Sequence, residues 1–277
     1  MRSWRIGTAF GIGLYVHWTF LLLPAIVGWF NLQHDGYEAA TLAVATIFAL
    51  LGCVMLHELG HALMARVFGV GTRDITMYPI GGVARLERMP DRPVEELFIA
   101  VAGPLVNVVI AAGLLGGMLL TDTYARWAAS PADMRYLAFG GKLLIQLFGM
   151  NVMLVLFNML PAFPMDGGRV LRSLLAMWID RVPATEVAVV VASGFAVLFM
   201  AFAWLNNQPI IGLIGVFVVF LGWQELAMLR RRRGVRRAAV TEDIPTVLPV
   251  GPRVTVHVWD PVRGVWVAPP DGVRAHA

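Results

Sequence analysis

Cysteine, lysine and charge in general are scarce in this 277-residue sequence, in which charged residues make up only 14%. Cys53 is the only cysteine, which excludes an internal disulfide and a metal site built from several thiolates. A soluble globular chain has about a quarter charged residues, so this composition excludes an ordinary soluble domain. Apart from Lys142 the positive charges are arginines between or after apolar runs, which favours a membrane surface over nucleic acid.

Long apolar runs dominate the rest of the sequence, with 58% hydrophobic residues and a mean hydropathy of +0.70. A helix needs about 20 mainly apolar residues to cross a bilayer. Six stretches meet this requirement and predict an all-α membrane protein with six transmembrane helices, at residues 14–32, 39–68, 94–120, 137–160, 185–205 and 210–229.

The positions of the arginines predict how the chain is oriented across the membrane. Arginines precede the first span and are concentrated after the second, fourth and sixth, whereas the opposite loops are sparser in positive charge. The positive-inside rule then places both termini in the cytoplasm, and we expect a multi-pass protein of a bacterial inner membrane. Residues 1–237 are predicted to form the transmembrane core, and residues 238–277 a short cytoplasmic tail with a small β-hairpin.

One motif, His57-Glu58-Leu59-Gly60-His61, lies inside the second apolar run. Residues four apart share one face of a helix, so the two histidines can present their imidazoles to one zinc ion. Glu58 lies beside them, where it can take a proton from zinc-bound water. Ionisable groups at membrane depth are costly and indicate a functional site. The alternative is a pair of histidines buried and hydrogen-bonded in the core.

A catalytic zinc site needs a third protein ligand, and Asp166 is the outstanding candidate. It follows Pro161 and Pro164, which cannot continue a regular helix, and it precedes Gly167-Gly168, which permits a free turn. The fourth span is therefore predicted to be broken, because irregular backbone at membrane depth must be buried or line a wet cavity. The alternative is a simple cytoplasmic loop with an exposed aspartate.

Several amides also lie in or at the end of apolar runs. Asn158, near the end of the fourth span, can donate to a developing oxyanion. Asn107, Gln146 and Asn151 are more often interhelical hydrogen-bonding residues than catalytic ones. Near Asn107, the dipeptide at 103–104 (Gly-Pro) indicates a kink or a close helix approach.

Residues 78–86, after the second span, predict two short strands around Gly81-Gly82. The edge of such a hairpin can pair with an unwound peptide by strand addition. A connecting turn without a binding role is the alternative.

Four ordered motifs together resemble the site-2 protease family of intramembrane zinc metalloproteases, over about residues 10–230. The motifs are residues 57–61 (HELGH), 81–83 (GGV), 102–107 (AGPLVN) and 158–169 (NMLPAFPMDGGR). The resemblance implies that one zinc ion is bound by His57, His61 and Asp166, that Glu58 is the catalytic base, and that Asn158 borders the active site. It also implies that Gly81, Gly82 and Val83 belong to a membrane re-entrant β-hairpin that helps to hold substrate.

The function implied by the resemblance is regulated intramembrane proteolysis, the hydrolysis of a peptide bond within or near the transmembrane segment of a membrane protein. The expected partners are this substrate, the lipid bilayer and a regulatory membrane protein, and no nucleic acid. Some relatives contain CBS modules or PDZ domains, but about forty residues follow Arg237, too few for either at ordinary sizes.

Two other functions use the same residues. One is a metal-transporting or metal-binding membrane protein, and the other is a catalytically inactive relative that binds membrane partners. Transporters commonly contain internal repeats or paired broken helices, whereas this sequence shows one broken segment and no repeat. The glutamate of the histidine motif has no obvious task in transport.

Overall fold

Helices make up most of the chain. The structure, a computed structural model, describes residues 3–79, 81–88, 90, 92–131, 137–163, 165–208, 212–213, 215–216, 218–224, 226–228, 230, 258–260 and 265–267. The helices are α1 (Leu22–His34), α2 (Gly36–Val67), α3 (Pro93–Leu120), α4 (Thr123–Ala129), α5 (Phe139–Asn158), α6 (Asp166–Leu175) and α7 (Arg181–Leu205). Residues 1–230 form one compact unit and residues 231–277 a second.

Four of these helices, α2, α3, α5 and α7, are long and apolar enough to cross a membrane. Large apolar side chains such as Leu105, Val109 and Leu198 remain exposed on them. Such surfaces are stable in lipid and unfavourable in water. The chain is therefore a membrane protein, and these helices match the predicted second, third, fourth and fifth spans to within a few residues.

The predicted first and sixth spans differ from the structure. Residues 14–17 belong to a strand, and after a short 3-10 turn the helix α1 has only 13 residues. In the region of the predicted sixth span there is a shorter apolar helix, Val218–Met228. An apolar run does not by itself distinguish a buried strand from a helix. The count of six spans therefore stays a prediction.

A four-stranded sheet accompanies the helices, so the chain is mostly helical, as predicted, but not all-α. Its strands, β1 (Ser3–Ala9), β2 (Ile12–His17), β3 (Thr72–Tyr78) and β4 (Gly81–Leu86), lie in the order β1-β2-β3-β4. Phe10-Gly11 connects β1 to β2 with positive φ at both residues, as a type I′ turn requires. β2 pairs in parallel with β3, and β3 pairs antiparallel with β4. The hairpin predicted after the second span is thus half of a larger sheet.

The sheet packs on α2 beside the histidine motif. Ile12, Ile75 and Met77 from the strands share one buried apolar cluster with Leu59 and Ala62 of α2. Leu59 lies between the two motif histidines in the sequence, so this cluster places the sheet next to them.

α2 ends in a turn that leads the chain into β3. Gly69 has a φ of +69°, and the N–H of Val70 donates to the carbonyl of Ala65 at 2.9 Å. A left-handed glycine after the last helical turn is a common helix stop.

The second unit contains two described strands, β5 (Val258–Asp260) and β6 (Val265–Val267), which pair antiparallel with Trp259 opposite Trp266. The tail hairpin was predicted at residues 254–258 and 264–267, and residues 254–257 and 264 lie outside the described residues.

Candidate metal centre

Three side chains from two helices meet at one point. His57 and His61 project from α2, and Asp166 is the first residue of α6, 105 positions after His61. The two Nε2 atoms are 3.1 Å apart, and each lies 3.2 Å from Oδ2 of Asp166. Asp166 is only 7% exposed, so the alternative of an exposed loop aspartate is wrong.

The donor set and its spacing fit a zinc ion. In a tetrahedral site with zinc–ligand bonds of about 2.0–2.1 Å, neighbouring ligand atoms are about 3.3 Å apart. The observed separations of 3.1–3.2 Å are close to that value. Two imidazoles and a carboxylate are a ligand set found in catalytic zinc sites, which keep a fourth position for water. His57, His61 and Asp166 can therefore hold one metal ion.

A hydrogen bond orients one of these side chains towards the centre. Nδ1 of His61 lies 2.6 Å from the carbonyl oxygen of Ile99. When Nδ1–H donates there, the lone pair of Nε2 faces the centre. Oδ2 of Asp166 faces both Nε2 atoms, and a carboxylate must be ionised to bind a metal ion.

α5 ends at Asn158 and α6 begins at Asp166, so the helix is interrupted before Asp166, as the prolines predict. Gly167 and Gly168 do not form the predicted free turn, since both lie in the first turn of α6 and neither has a positive φ. A Cβ on Gly167 would lie 2.2 Å from the carbonyl oxygen of Leu160, and one on Gly168 would lie 2.8 Å from the carbonyl carbon of Ala162. The two glycines thus let the connection pack onto α6 and hold Asp166 in place.

α3 approaches α2 closely at Gly103, which is the close helix approach that the sequence indicated. A Cβ at this position would lie 2.2 Å from Nε2 of His61 and 2.8 Å from Nε2 of His57. Only a residue without a side chain leaves room for both imidazoles.

Gly103→Ala is expected to weaken zinc binding about tenfold or more, because the added methyl displaces both imidazoles without removing a ligand. Gly113→Ala on the same helix is the matched control, since no atom lies within 4 Å of its added Cβ. Competition with a chelator at equilibrium, on purified protein, measures both affinities. Equal affinities in the two variants would show that this contact does not constrain the histidines.

A buried ion-pair network, which the sequence analysis missed, anchors α6. Glu96 of α3 accepts hydrogen bonds from Arg172 of α6 and, at 2.6 Å, from Arg181 of α7. Glu96 is 2% exposed and Arg172 is 1% exposed, with its guanidinium 5.1 Å from the ring centre of Phe163. The sequence contained one sign of this network. Glu96 lies in the first turn of an apolar helix, and the sequence indicated no partner for its charge.

Arg172→Met is expected to destabilise the protein by about 3 kcal/mol, because Glu96 stays buried with one of its cationic partners removed. Glu186→Ala is the comparison, since Glu186 and Arg230 form an exposed pair at 2.6 Å and such pairs contribute at most about 1 kcal/mol. Denaturant unfolding in detergent measures both changes. Similar losses in the two variants would rule out an anchoring role.

The other predicted site residues lie around this centre. Glu58 is half-buried and packs against Gly82 of β4, where an added Cβ would lie 2.5 Å from Cγ of Glu58. Glu58 is also near enough to His61 for an electrostatic interaction. Asn158 is the half-buried last residue of α5. Within the described part of the chain it makes no hydrogen bond to Asp166 or the histidines.

Residues 45–136 and 138–202 match the sequence model of peptidase family M50. This range includes both histidines, Glu58 and Asp166. The chain belongs to this family. A zinc metalloprotease of Methanocaldococcus jannaschii is 33% identical over 223 residues, which are 80% of this chain and 60% of that protein. Stage IV sporulation protein FB of Bacillus subtilis is 29% identical over 127 residues, 45% of this chain and 38% of that protein.

One solved structure is also similar to this chain. The site-2 protease from Methanocaldococcus jannaschii has a TM-score of 0.56 and 32% identity, and the match covers 81% of this chain and 95% of that one. The predicted resemblance to site-2 proteases is confirmed. The chain spans only 56–60% of the length of the curated zinc metalloproteases that it matches over most of its own length.

Proposed function

We propose that this M50 family member is an intramembrane zinc metalloprotease, which hydrolyses a peptide bond within or near the transmembrane segment of a membrane protein. The observation that supports this most strongly is the buried meeting of His57, His61 and Asp166, with donor atoms 3.1–3.2 Å apart. The family and the similarity to zinc metalloproteases support peptide hydrolysis.

The proposed roles follow from chemistry and position. His57, His61 and Asp166 hold the zinc ion, which when bound polarises water and the scissile carbonyl. Glu58 takes a proton from the attacking water and returns it to the leaving amine. Asn158 donates its amide to the oxyanion that develops on the carbonyl.

The hairpin β3–β4 is proposed to hold the substrate. A transmembrane helix keeps its carbonyls in internal hydrogen bonds, so its backbone must unwind before hydrolysis. β4 is an edge strand, Val83 is 49% exposed on it, and Gly82 contacts Glu58. An unwound segment added beside Gly81, Gly82 and Val83 would gain backbone hydrogen bonds next to the catalytic base.

The site is proposed to face the cytoplasm of a bacterial inner-membrane protein with six spans and cytoplasmic termini. His57 lies ten residues before the end of α2, about 15 Å at 1.5 Å per residue. Arg66 and Arg92 flank the connection between α2 and α3, and the positive-inside rule places such residues in the cytoplasm. Water then reaches the site from that side.

Reconstitution in vesicles with a single-span membrane protein tests the proposal against its two alternatives. We expect cleavage that a zinc chelator abolishes and added zinc restores, without zinc accumulation in the vesicles. Zinc uptake without cleavage would indicate a transporter. Zinc binding with neither activity would indicate an inactive relative.

A further inference from the structure

Asn107 of α3 is a fully buried amide that the proposed mechanism does not use. Neither its Nδ2 nor its Oδ1 has a hydrogen-bond partner among the described residues. Nδ1 of His57 and Oδ1 of Asn151 are likewise buried and unpartnered in that part of the chain. Buried polar atoms are nearly always satisfied by protein or by ordered water, so this group of four atoms requires an explanation.

The contacts between helices place His57, Asn107 and Asn151 at neighbouring levels of α2, α3 and α5. α2 and α3 run antiparallel, and His57 lies opposite Gly103, where an added Cβ would be 2.8 Å from its Nε2. One turn further along each helix, Cys53 and Asn107 come opposite each other. Asn151 of α5 lies at the same level, since its Nδ2 is 3.4 Å from Sγ of Cys53.

The ring of His57 extends towards this level. Side chains on a helix lean towards its N-terminus, so the imidazole leans from residue 57 towards the turn that contains Cys53. Its Nε2 is 3.2 Å from Asp166, and this leaves Nδ1 on the side of the ring away from the metal centre.

We propose that Asn107 and Asn151 hold an enclosed water molecule that accepts a hydrogen bond from Nδ1–H of His57. A buried water makes about three hydrogen bonds. Here it accepts from Nδ1–H of His57 and from Nδ2 of Asn107 and donates to Oδ1 of Asn151, which satisfies three of the four atoms. The carbonyl of Ile99 already acts in this way on Nδ1 of His61. The water fixes the tautomer in which Nε2 of His57 has its lone pair on the metal side.

The inference rests on the proposed function, because it takes His57 as a metal ligand. Asn107 is thus a positioning residue, which acts on the metal through water and the imidazole. Its expected signature is a change in zinc affinity that substitution of an equally buried polar residue elsewhere in the bundle does not produce.

Asn107→Leu, which replaces both polar atoms by methyl groups on the same branched skeleton, is expected to weaken zinc binding by about 10–100-fold. Asn107→Ser keeps a hydroxyl beside the water and is expected to recover most of the affinity, whereas Asn107→Ala is not. Thr46→Val is the matched control, because Thr46 bonds Gln146 of α5 at 2.6 Å, nearly two turns of α2 before Cys53. Chelator competition on the purified full chain gives the affinities, and thermal unfolding of the metal-free protein shows that each variant is folded.

Wild-type zinc affinity in folded Asn107→Leu would overturn the proposal, and so would an equal loss in Thr46→Val. If Asn107→Leu does not fold, equal affinities of Asn107→Ser and Asn107→Ala would overturn it. His57→Ala separates the two levels of inference: zinc affinity unchanged in that variant would disprove the proposed metal centre itself.

Discussion

Glu58→Gln is expected to lower the cleavage rate at least about a hundredfold and to leave zinc content unchanged. Glutamine preserves the size of the side chain and its packing against Gly82, but it cannot accept a proton from water. Cleavage of a single-span protein in vesicles and elemental analysis of the purified variant measure the two quantities.

The same substitution at the other end of α2 is the control for this prediction. Glu38 is a surface residue that pairs with Lys142 at 2.6 Å, so Glu38→Gln is expected to cleave at the wild-type rate. Wild-type cleavage by Glu58→Gln would exclude Glu58 as the catalytic base, and loss of zinc from it would show a structural effect instead.

The inactive variant also tests the proposed substrate site, because it retains uncleaved substrate. Cys53 is the only native cysteine and is buried, so Val83→Cys adds an exposed thiol at the edge of β4. Cross-linking to a cysteine near the cleavage site of a single-span substrate is expected at position 83. It is not expected from Val67→Cys, an exposed position at the end of α2. Equal cross-linking at both positions would contradict strand addition.

Asp166→Ala is expected to reduce zinc from about one ion per chain to a small fraction of that, because two imidazoles alone leave a zinc site without its third protein ligand. Asp35→Ala is the matched control, since Asp35 is exposed and its side chain makes no capping hydrogen bond to α2. Elemental analysis after dialysis against a weak chelator gives the comparison. Full zinc content in Asp166→Ala would remove Asp166 from the ligand set.

Local geometry explains why most of the candidate site could be predicted. A spacing of four residues places His57 and His61 on one face of any helix, whatever surrounds it. Pro161 and Pro164, only three positions apart, disfavour a continuous helix before Asp166. The lengths of α2, α3, α5 and α7 follow in the same way from runs of apolar residues.

Contacts between distant segments could not be predicted in this way. Nothing near Glu96 in the sequence indicates that Arg172 of α6 is its partner, and nothing near Gly103 indicates that two imidazoles pack against it. Residues 14–17 lie in the predicted first span but form part of β2, because β2 pairs with β3, whose residues lie about sixty positions later.

The sequence alone therefore determined which residues are candidate metal ligands, the helix that presents two of them, the break before the third and the resemblance to the family. Only the tertiary structure decided that Asp166 meets His61 across 105 positions, that α3 approaches at a glycine and that a sheet flanks Glu58. The physical reason is that helical periodicity and proline stereochemistry act over a few residues. The packing of helices and strands instead depends on many weak contacts between segments far apart in the chain.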